Sequence, residues 1–274
     1  MSLLDTYLPK TTFESYEDFY KNFKINIPEN FNFAYDVVDA LAASKANERA
    51  LQWCDEKGAE KVFTFSEIKT WSDKAANVLR SAGITKGDPV MLILKRRWEY
   101  WPVILAIHRI GAIAIPATHL LSVKDIVYRC NAADIKGIIC VDDLELMKRV
   151  NEAETIMEQS VESNGTMHLR YKAFMRSAHN PDDYDPAKLL YDQYKARTKA
   201  IFSDDVFSGS ITDGAAGIYG ADQKAAAGFQ VPELSSKWDD FSSLMKEADC
   251  NFKKPDAVNK NTDIMLLYFT SGTT

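Results

Sequence analysis

A cluster of hydroxyl side chains around one glycine follows an apolar run at the carboxyl end of the sequence. The run Ile264–Phe269 is rich in residues that favour β-strands, so it indicates a buried strand. A loop of backbone N–H groups and hydroxyls can hold phosphate oxygens, and Gly272 lets the backbone approach closely. The pattern predicts a phosphate-binding loop made by Thr270, Ser271, Gly272, Thr273 and Thr274.

This loop differs from the Walker type of phosphate loop. It contains no lysine and does not match GxxxxGK[ST]. On these residues alone, a frayed tail of small polar residues is the competing interpretation, because such clusters are common at chain ends. The rest of the chain has to decide between the two.

Strands and helices alternate through the middle of the chain. The strands are continuous apolar runs instead of alternating ones, which indicates that both faces of the sheet are covered. This order is typical of right-handed βαβ units, and it predicts a three-layer α/β fold with a parallel sheet. The predicted strands are 89–94, 112–116 and 136–141, and the predicted helices are 99–110, 123–133 and 144–158.

The N-terminal part is predicted to add helices and a hairpin. Ser15 begins a capping box, and a second helix is expected over 33–44. Two strand-like runs flank Glu56–Gly58 and predict a β-hairpin. Ser66 is the expected N-cap of the following helix, and Gly83 is placed to end it.

Residues 159–229 break the regular alternation. They contain six of the twelve glycines and show no periodic apolar face in their second half. We interpret them as an atypical insert that is partly helical and partly mobile. The expected organisation is therefore 1–158 as one part of a domain, 159–229 as the insert, and 230–274 as the return to the same domain.

Composition excludes several classes of function. The net charge of −6 argues against binding nucleic acid through phosphate contacts. The four cysteines are far apart and form no CxxC pair, which is typical of reduced thiols in a cytoplasmic protein. The N-terminus has no signal-peptide pattern, and no apolar stretch is long enough to span a bilayer.

Several segments, in this order, resemble the N-terminal part of the adenylate-forming acyl-CoA synthetases. The resemblance covers about 1–158 and 230–274 and is strongest to the medium-chain or branched-chain branch. The segments that carry it are Asn32–Asp39, Phe65–Ile68, Gly87–Asp88, Leu92–Trp98, His108–Thr118, Asp125–Arg129 and Asp263–Thr274, the last of which matches the opening of the family's YTSGTTG motif.

The resemblance implies an AMP-forming ligase of fatty acid metabolism whose partners are small molecules. A carboxylic acid reacts with ATP in the presence of Mg²⁺ to give an acyl-AMP, and CoA then displaces AMP. The family has a short connection, usually with a strand, where this chain has 159–229. Because the chain stops inside the loop, we expect a truncated large N-terminal domain that is inactive alone and binds no cofactor tightly.

Other candidate residues have a structural interpretation beside a functional one. His108, Trp98 and Trp101 are more typical of packing than of catalysis. His119 follows a strand end, where ligands bind in open α/β sheets, so both interpretations stand. The run Lys95–Arg97 also follows a strand end and is expected to be a solvated turn, although it could meet an anion. The glycines of 214–220 do not form a dinucleotide fingerprint.

Two alternatives stay open at this stage. One is a non-catalytic, remodelled domain or interaction module that uses 159–229. The other is a fragment of a different adenylating enzyme, such as an aryl-CoA ligase. The acyl substrate and the oligomeric state do not follow from the sequence.

Overall fold

Short apolar runs form a parallel sheet at the centre of the protein, as the sequence predicts. The computed structural model describes residues 3–54, 60–164, 169–176, 238–256 and 259–270. The hairpin strands are β1 (Arg49–Cys54) and β2 (Glu60–Thr64). The spatial order of the central strands is β4-β3-β5-β6-β7, with β3 Pro89–Ile93, β4 Ile113–Pro116, β5 Gly137–Val141, β6 Tyr171–Met175 and β7 Asp239–Asp240.

Helices connect these strands and extend the N-terminus. A π-helical stretch, Ala34–Asp39, runs directly into α3. The α-helices are α1 Leu3–Tyr7, α2 Tyr16–Asn22, α3 Ala40–Ser44, α4 Phe65–Ser81, α5 Tyr100–Ile110, α6 Val123–Ala133, α7 Leu144–Asn164 and α8 Phe241–Glu247.

Side chains of β3 alternate between two cores on opposite faces of the sheet. Val90 and Leu92 pack against α4, α5 and α8, whereas Met91 and Ile93 pack against α6 and α7. All four of these side chains are buried. The three-layer α/β arrangement with parallel pairing is therefore confirmed.

A buried arginine joins the π-helical stretch to α4 and α5. The guanidinium of Arg109 donates two hydrogen bonds to Asp39, at 2.9 and 2.6 Å, and one to Ser72 at 2.8 Å. It also lies 3.2 Å from Asp73, and its carbon is 5.1 Å from the centre of the Tyr35 ring. Arg109 and Asp73 are each 1% exposed, so their charges neutralise each other away from water.

The N-caps of α2 and α4 were both predicted from the sequence. The predicted capping box at Ser15 forms only in part: Ser15 accepts a hydrogen bond from the Asp18 backbone N–H as N-cap, but the Asp18 carboxylate accepts from the Glu14 backbone N–H. The predicted N-cap at Ser66 is wrong, since Thr64 caps α4 through a reciprocal box with Glu67. Thr64 has the extended backbone that a cap requires, and the three-residue spacing to Glu67 completes the box.

The sheet includes a strand that falls inside the segment 159–229. Strand β6 pairs with β5 in parallel register, and α7 continues past Glu158 to Asn164. The pattern conceals this strand because Lys172 interrupts its apolar run. Residues 177–237 lie outside the described residues, so the rest of the predicted insert stays a prediction.

Lys172 is tolerated in the sheet because its charge is paired. It is 5% exposed and donates to Glu154 at 2.5 Å and to Asn151 at 2.8 Å. Trp238 also donates to Asn151, at 2.9 Å. The lysine therefore joins β6 to α7 and to the start of β7, and its position follows from this polar contact.

Replacing Arg109 by leucine should destabilise the protein by about 3–5 kcal/mol, because it leaves Asp39 without its ion-pair partner and the buried Asp73 with Lys69 as its remaining counter-charge. Urea unfolding followed by circular dichroism measures the change. Lys45→Ala is the control, since it removes an exposed pair with Glu48 and should cost less than about 0.5 kcal/mol. A loss below about 1 kcal/mol for Arg109→Leu would contradict the stabilising role of the cluster.

Candidate functional site

The segment leading to the hydroxyl cluster lies beside β4 at one edge of the sheet. The Ala114 N–H donates to the carbonyl oxygen of Met265 at 3.1 Å, and the Leu267 N–H donates to the Ala114 carbonyl at 3.0 Å. Because this pairing is parallel, Thr270 leaves the sheet at the edge where the other central strands end. Open α/β sheets bind ligands at this edge.

The structure places only the first residue of the predicted phosphate loop. Thr270 is exposed at the end of the segment. The other predicted site residues, Ser271, Gly272, Thr273 and Thr274, lie outside the described residues. The assignment of this loop to phosphate binding therefore stays a prediction.

The prediction that Ile264–Phe269 is a buried strand is wrong for the described part of the chain. Ile264, Met265 and Tyr268 are 60%, 48% and 64% exposed, and the pairing with β4 is limited to one bridge. Among the described residues no strand pairs with the outer side of this segment. Burial of a strand depends on neighbours on both sides, and the apolar composition alone does not show how many neighbours there are.

Charged side chains meet at the carboxyl ends of β3 and β5. Lys95 lies 3.1 Å from Asp143, and Arg97 lies 3.4 Å from Asp142. Lys95 has a φ of 52°, a left-handed conformation that costs a non-glycine residue about 1 kcal/mol. Lys95 and Arg96 are exposed, as expected for a solvated turn, but two of the three cations are ion-paired. An anion arriving here would compete with the aspartates.

The pairing of these aspartates with the cations was not predicted from the sequence. A signal was present, since Asp142 and Asp143 directly follow a buried strand. The carboxyl ends of parallel strands share one edge, so side chains that follow β5 reach those that follow β3. This contact requires β5 to lie next to β3, and the sequence alone does not give the order of the strands in the sheet.

The turn after β4 contains His119 and is fixed by α7. Arg149 donates to the carbonyl oxygens of His119 at 3.0 Å and of Leu121 at 2.5 Å. His119 is half-buried at the carboxyl edge. These bonds hold its backbone and leave both interpretations of its imidazole open.

The direction of the chain connections changes between β3 and β5. After β3 the chain enters α5 on one face of the sheet, whereas after β5 it enters α7 on the other face. In sheets of this strand order, ligands bind at the carboxyl ends of the two strands where the connections diverge. This switch point lies between the Lys95 turn and Asp142–Asp143, and the two ion pairs described above cross it.

His108 lies in the interior, away from the carboxyl edge. The side chain is 8% exposed, and neither ring nitrogen has a hydrogen-bond partner among the described residues. Burial lowers the pKa of its imidazole from 6.5 to about 4, so the ring is neutral at pH 7. The structural interpretation of His108 is supported, although the ring is buried in the core and not placed at the surface.

The tryptophans have packing roles of different kinds. Trp98 is 5% exposed, and its ring centre lies 4.7 Å from that of Phe63 and 5.6 Å from that of Trp71. Trp101 is half exposed and contacts only Tyr100 among the ring pairs of the described chain. The glycines of 214–220 lie outside the described residues.

Two general features of the described residues bear on possible ligands. No group of three or more His, Cys, Asp or Glu side chains in the described ranges is arranged to hold a metal ion. Within the same ranges, no helix has the length and apolarity needed to span a membrane. The described part of the candidate site thus consists of hydroxyl, backbone and ion-paired groups at the carboxyl edge.

The chain is similar to known proteins in sequence and in structure. A profile of the family described as AMP-binding enzyme matches residues 38–274. Mouse mitochondrial acyl-coenzyme A synthetase ACSM3 is 40% identical over 138 residues, which are 48% of this chain and 24% of that protein. The chain therefore spans about a quarter of this curated relative's length.

Solved structures show a similar fold. A long-chain-fatty-acid-CoA ligase from Archaeoglobus fulgidus matches with a TM-score of 0.56 and 14% identity, over 97% of this chain and 37% of that chain. An acyl-CoA synthetase from Brucella canis matches with a TM-score of 0.54 and 18% identity, over 89% of this chain and 32% of that chain. At these identities the likeness shows the fold alone.

Lowering the pH should destabilise the protein through His108. The unfolded chain binds a proton near pH 6.5, but the buried imidazole does so only near pH 4. The free energy of unfolding should therefore fall by up to about 3 kcal/mol as the pH drops through this window. Urea unfolding of the wild type and of His108→Leu between pH 7.5 and 4.5 measures it.

The difference in unfolding free energy between the wild type and His108→Leu separates the effect of the histidine from that of the acidic groups, which both proteins share. His108→Leu should gain relative stability progressively below pH 6.5. Ile107→Val, a neighbouring core substitution that does not titrate, should shift stability by the same amount at every pH. A pH-independent difference for His108→Leu as well would contradict the lowered pKa.

Proposed function

Because this chain belongs to the AMP-binding enzyme family, we propose that it forms part of an AMP-forming acyl-CoA synthetase. The proposed reaction joins a carboxylic acid to CoA with conversion of ATP to AMP and pyrophosphate. The observation that carries the proposal is the position of residues 264–270, which lead into the motif. They run beside β4 to the carboxyl edge of the sheet, and the family match extends from residue 38 to residue 274.

The proposed role of this edge is to hold phosphate. ATP, when bound, supplies the phosphate that activates the carboxylic acid. The groups of this chain that suit phosphate oxygens are the Thr270 hydroxyl and the donors predicted for 271–274. Hydroxyl and backbone donors stabilise charge without needing a counter-ion of their own.

We propose further that the chain is a portion of such an enzyme and lacks activity alone. It spans 24% of the length of the mouse relative, and its motif segment is exposed on its outer side. An exposed apolar strand edge favours the presence of additional structure in the active protein. CoA, the acid and Mg²⁺ would accordingly be partners of the larger enzyme, and a cytoplasmic location stays a prediction.

An acyl substrate is the preferred choice over an aryl substrate. The sequence identity to ACSM3 reaches 40% over 138 residues, and that protein is an acyl-coenzyme A synthetase. The alternative of a non-catalytic interaction module can be distinguished by experiment. Such a module is not expected to bind ATP, even when the rest of the enzyme is fused to it.

The isolated chain should release no acid-dependent pyrophosphate from ATP. The chain spans 24% of the length of the mouse relative, and each donor to the phosphates is worth several kcal/mol of transition-state stabilisation in comparable sites. The assay compares butyrate, hexanoate and benzoate with no acid and with heat-inactivated protein. Pyrophosphate release that depends on any of these acids would show that the described chain is catalytically sufficient.

A chimera tests the phosphate-loop assignment directly. Fusing this chain to the remaining part of mouse ACSM3 should restore ATP binding, and Gly272→Val in the chimera should weaken it by at least about tenfold, or 1.4 kcal/mol. The valine side chain would occupy the space that the phosphate needs. Titration calorimetry with ATP gives the affinities.

Met265→Val is the matched control in the chimera. It changes an apolar residue of the same segment upstream of the loop and should leave ATP affinity within about twofold. Equal affinity of the Gly272→Val chimera and its parent would remove the loop from the phosphate site. A chimera that folds but does not bind ATP would instead favour the non-catalytic alternative.

A further inference from the structure

An irregular N-terminal arm, residues 26–32, contacts the segment that precedes the hydroxyl cluster. Asn261 uses both ends of its side-chain amide on this arm. Its Nδ2 donates to the Pro28 carbonyl at 2.6 Å, and its Oδ1 accepts from the Phe31 N–H at 3.0 Å. Its backbone N–H also donates to the Glu29 carbonyl at 3.3 Å. The side chain thus imitates the paired bonds of a β-ladder.

A second pair of asparagines extends this contact into the core. Asn32 Nδ2 donates to Asn259 Oδ1 at 2.8 Å and to the His108 carbonyl oxygen at 2.9 Å. Asn259 Nδ2 in turn donates to the carbonyl oxygen of Phe31 at 3.1 Å. Asn32 is 6% exposed, and its Oδ1 accepts from the Ala34 N–H, so its donors and its acceptor are all satisfied.

These bonds outnumber those that hold the segment to the sheet. Within the described residues, the ladder bonds between 264–270 and β4 are the two made by Ala114. The ion pair of Lys86 with Asp263, at 2.9 Å, lies on an exposed surface and contributes little. Leu266, Leu267 and Phe269 add apolar packing against the two cores. Among the hydrogen bonds that fix the segment, those made by the asparagines just upstream of it are the more numerous.

We propose that Asn32, Asn259 and Asn261 form an asparagine clamp that positions the motif segment Ile264–Thr270 against β4. The segment begins three residues after Asn261, so the clamp fixes its start while Ala114 fixes its middle. The three asparagines are positioning residues, because none of them lies at the carboxyl edge where Thr270 leaves the sheet.

The clamp has a functional meaning that rests on the proposed phosphate loop. Binding by a loop that follows a frayed segment costs the conformational entropy of ordering both the segment and the loop, whereas a segment that is already fixed removes its share of that cost. The N-terminal arm would in this way influence nucleotide affinity from a distance, without contacting the nucleotide.

Amide hydrogen exchange of the unmodified chain and its variants tests the clamp without any nucleotide. In the double variant Asn259→Ala/Asn261→Ala, the Ala114 and Leu267 amides should exchange at least about tenfold faster. The amides of Leu92 and Ile139, in the central strands, should change by less than about twofold. Asn251→Ala is the control, since the Asn251 side chain bonds only locally, and it should change none of these rates.

Two results would overturn the proposal. One is unchanged exchange at Leu267, which would show that the sheet bonds alone hold the segment. The other is equally faster exchange of the Ala114, Leu267, Leu92 and Ile139 amides. That result would show that the asparagines stabilise the whole fold and do not specifically position the segment. If the double variant does not fold, Asn261→Asp, which removes the Nδ2 donor to Pro28, is judged by the same two criteria.

The exchange experiment and the chimera separate the two proposals. Failure of the clamp appears as unchanged exchange in the absence of ATP. Failure of the proposed function appears as lack of ATP binding by a chimera whose motif segment is protected. A chimera with the two asparagine substitutions that folds and binds ATP more weakly than its parent would support both.

Discussion

The buried charge of Arg109 is the constraint on which the described arrangement depends. A guanidinium in the interior has to be matched by carboxylates, and here Asp39 and Asp73 come from separate elements. This requirement holds the π-helical stretch against α4 and α5. Tyr35 reinforces the contact by donating its hydroxyl to the Arg109 carbonyl at 2.9 Å. The arm that precedes this stretch can then reach Asn259 and Asn261, so an interior ion cluster indirectly sets the position of a segment at the sheet edge.

Sheet topology brings the remaining polar groups together. The connections after β3 and β5 leave toward opposite faces, which places the switch point of the sheet between these two strands. The Lys95 turn follows β3 and its aspartate partners follow β5, so their ion pairs cross the switch point, whereas the turn held by Arg149 follows β4. Both turns are held by side chains of other elements. Asp142 and Asp143 bind the cations of the Lys95 turn, and Arg149 binds the backbone of the turn after β4. A site built here would therefore have a rigid framework on the β3 side and a more exposed wall on the side of Thr270.

The sequence predicts the features that depend on local pattern and misses those that depend on neighbours. The apolar runs and caps locate β3, β4, β5 and the helices between them, because periodicity and capping are local. Strand β6 is hidden by Lys172, whose burial becomes favourable only once Glu154 and Asn151 are beside it. Arg109 resembles a surface residue for the same reason. The exposure of Ile264–Phe269 depends on the number of strands beside it, and residues 271–274 lie outside the described structure.

The same exposed segment has a consequence for how the chain behaves at high concentration. Ile264–Phe269 is six uncharged residues with high β-propensity and no proline, and its outer edge is unpaired among the described residues. Such an edge is a template for intermolecular strand pairing and aggregation. Asp263, which directly precedes it, is the nearest charged residue able to act as a gatekeeper, and it is already paired with Lys86. Acid or high salt, which weaken that pair, would therefore favour the self-association of folded molecules through this edge before the core itself unfolds.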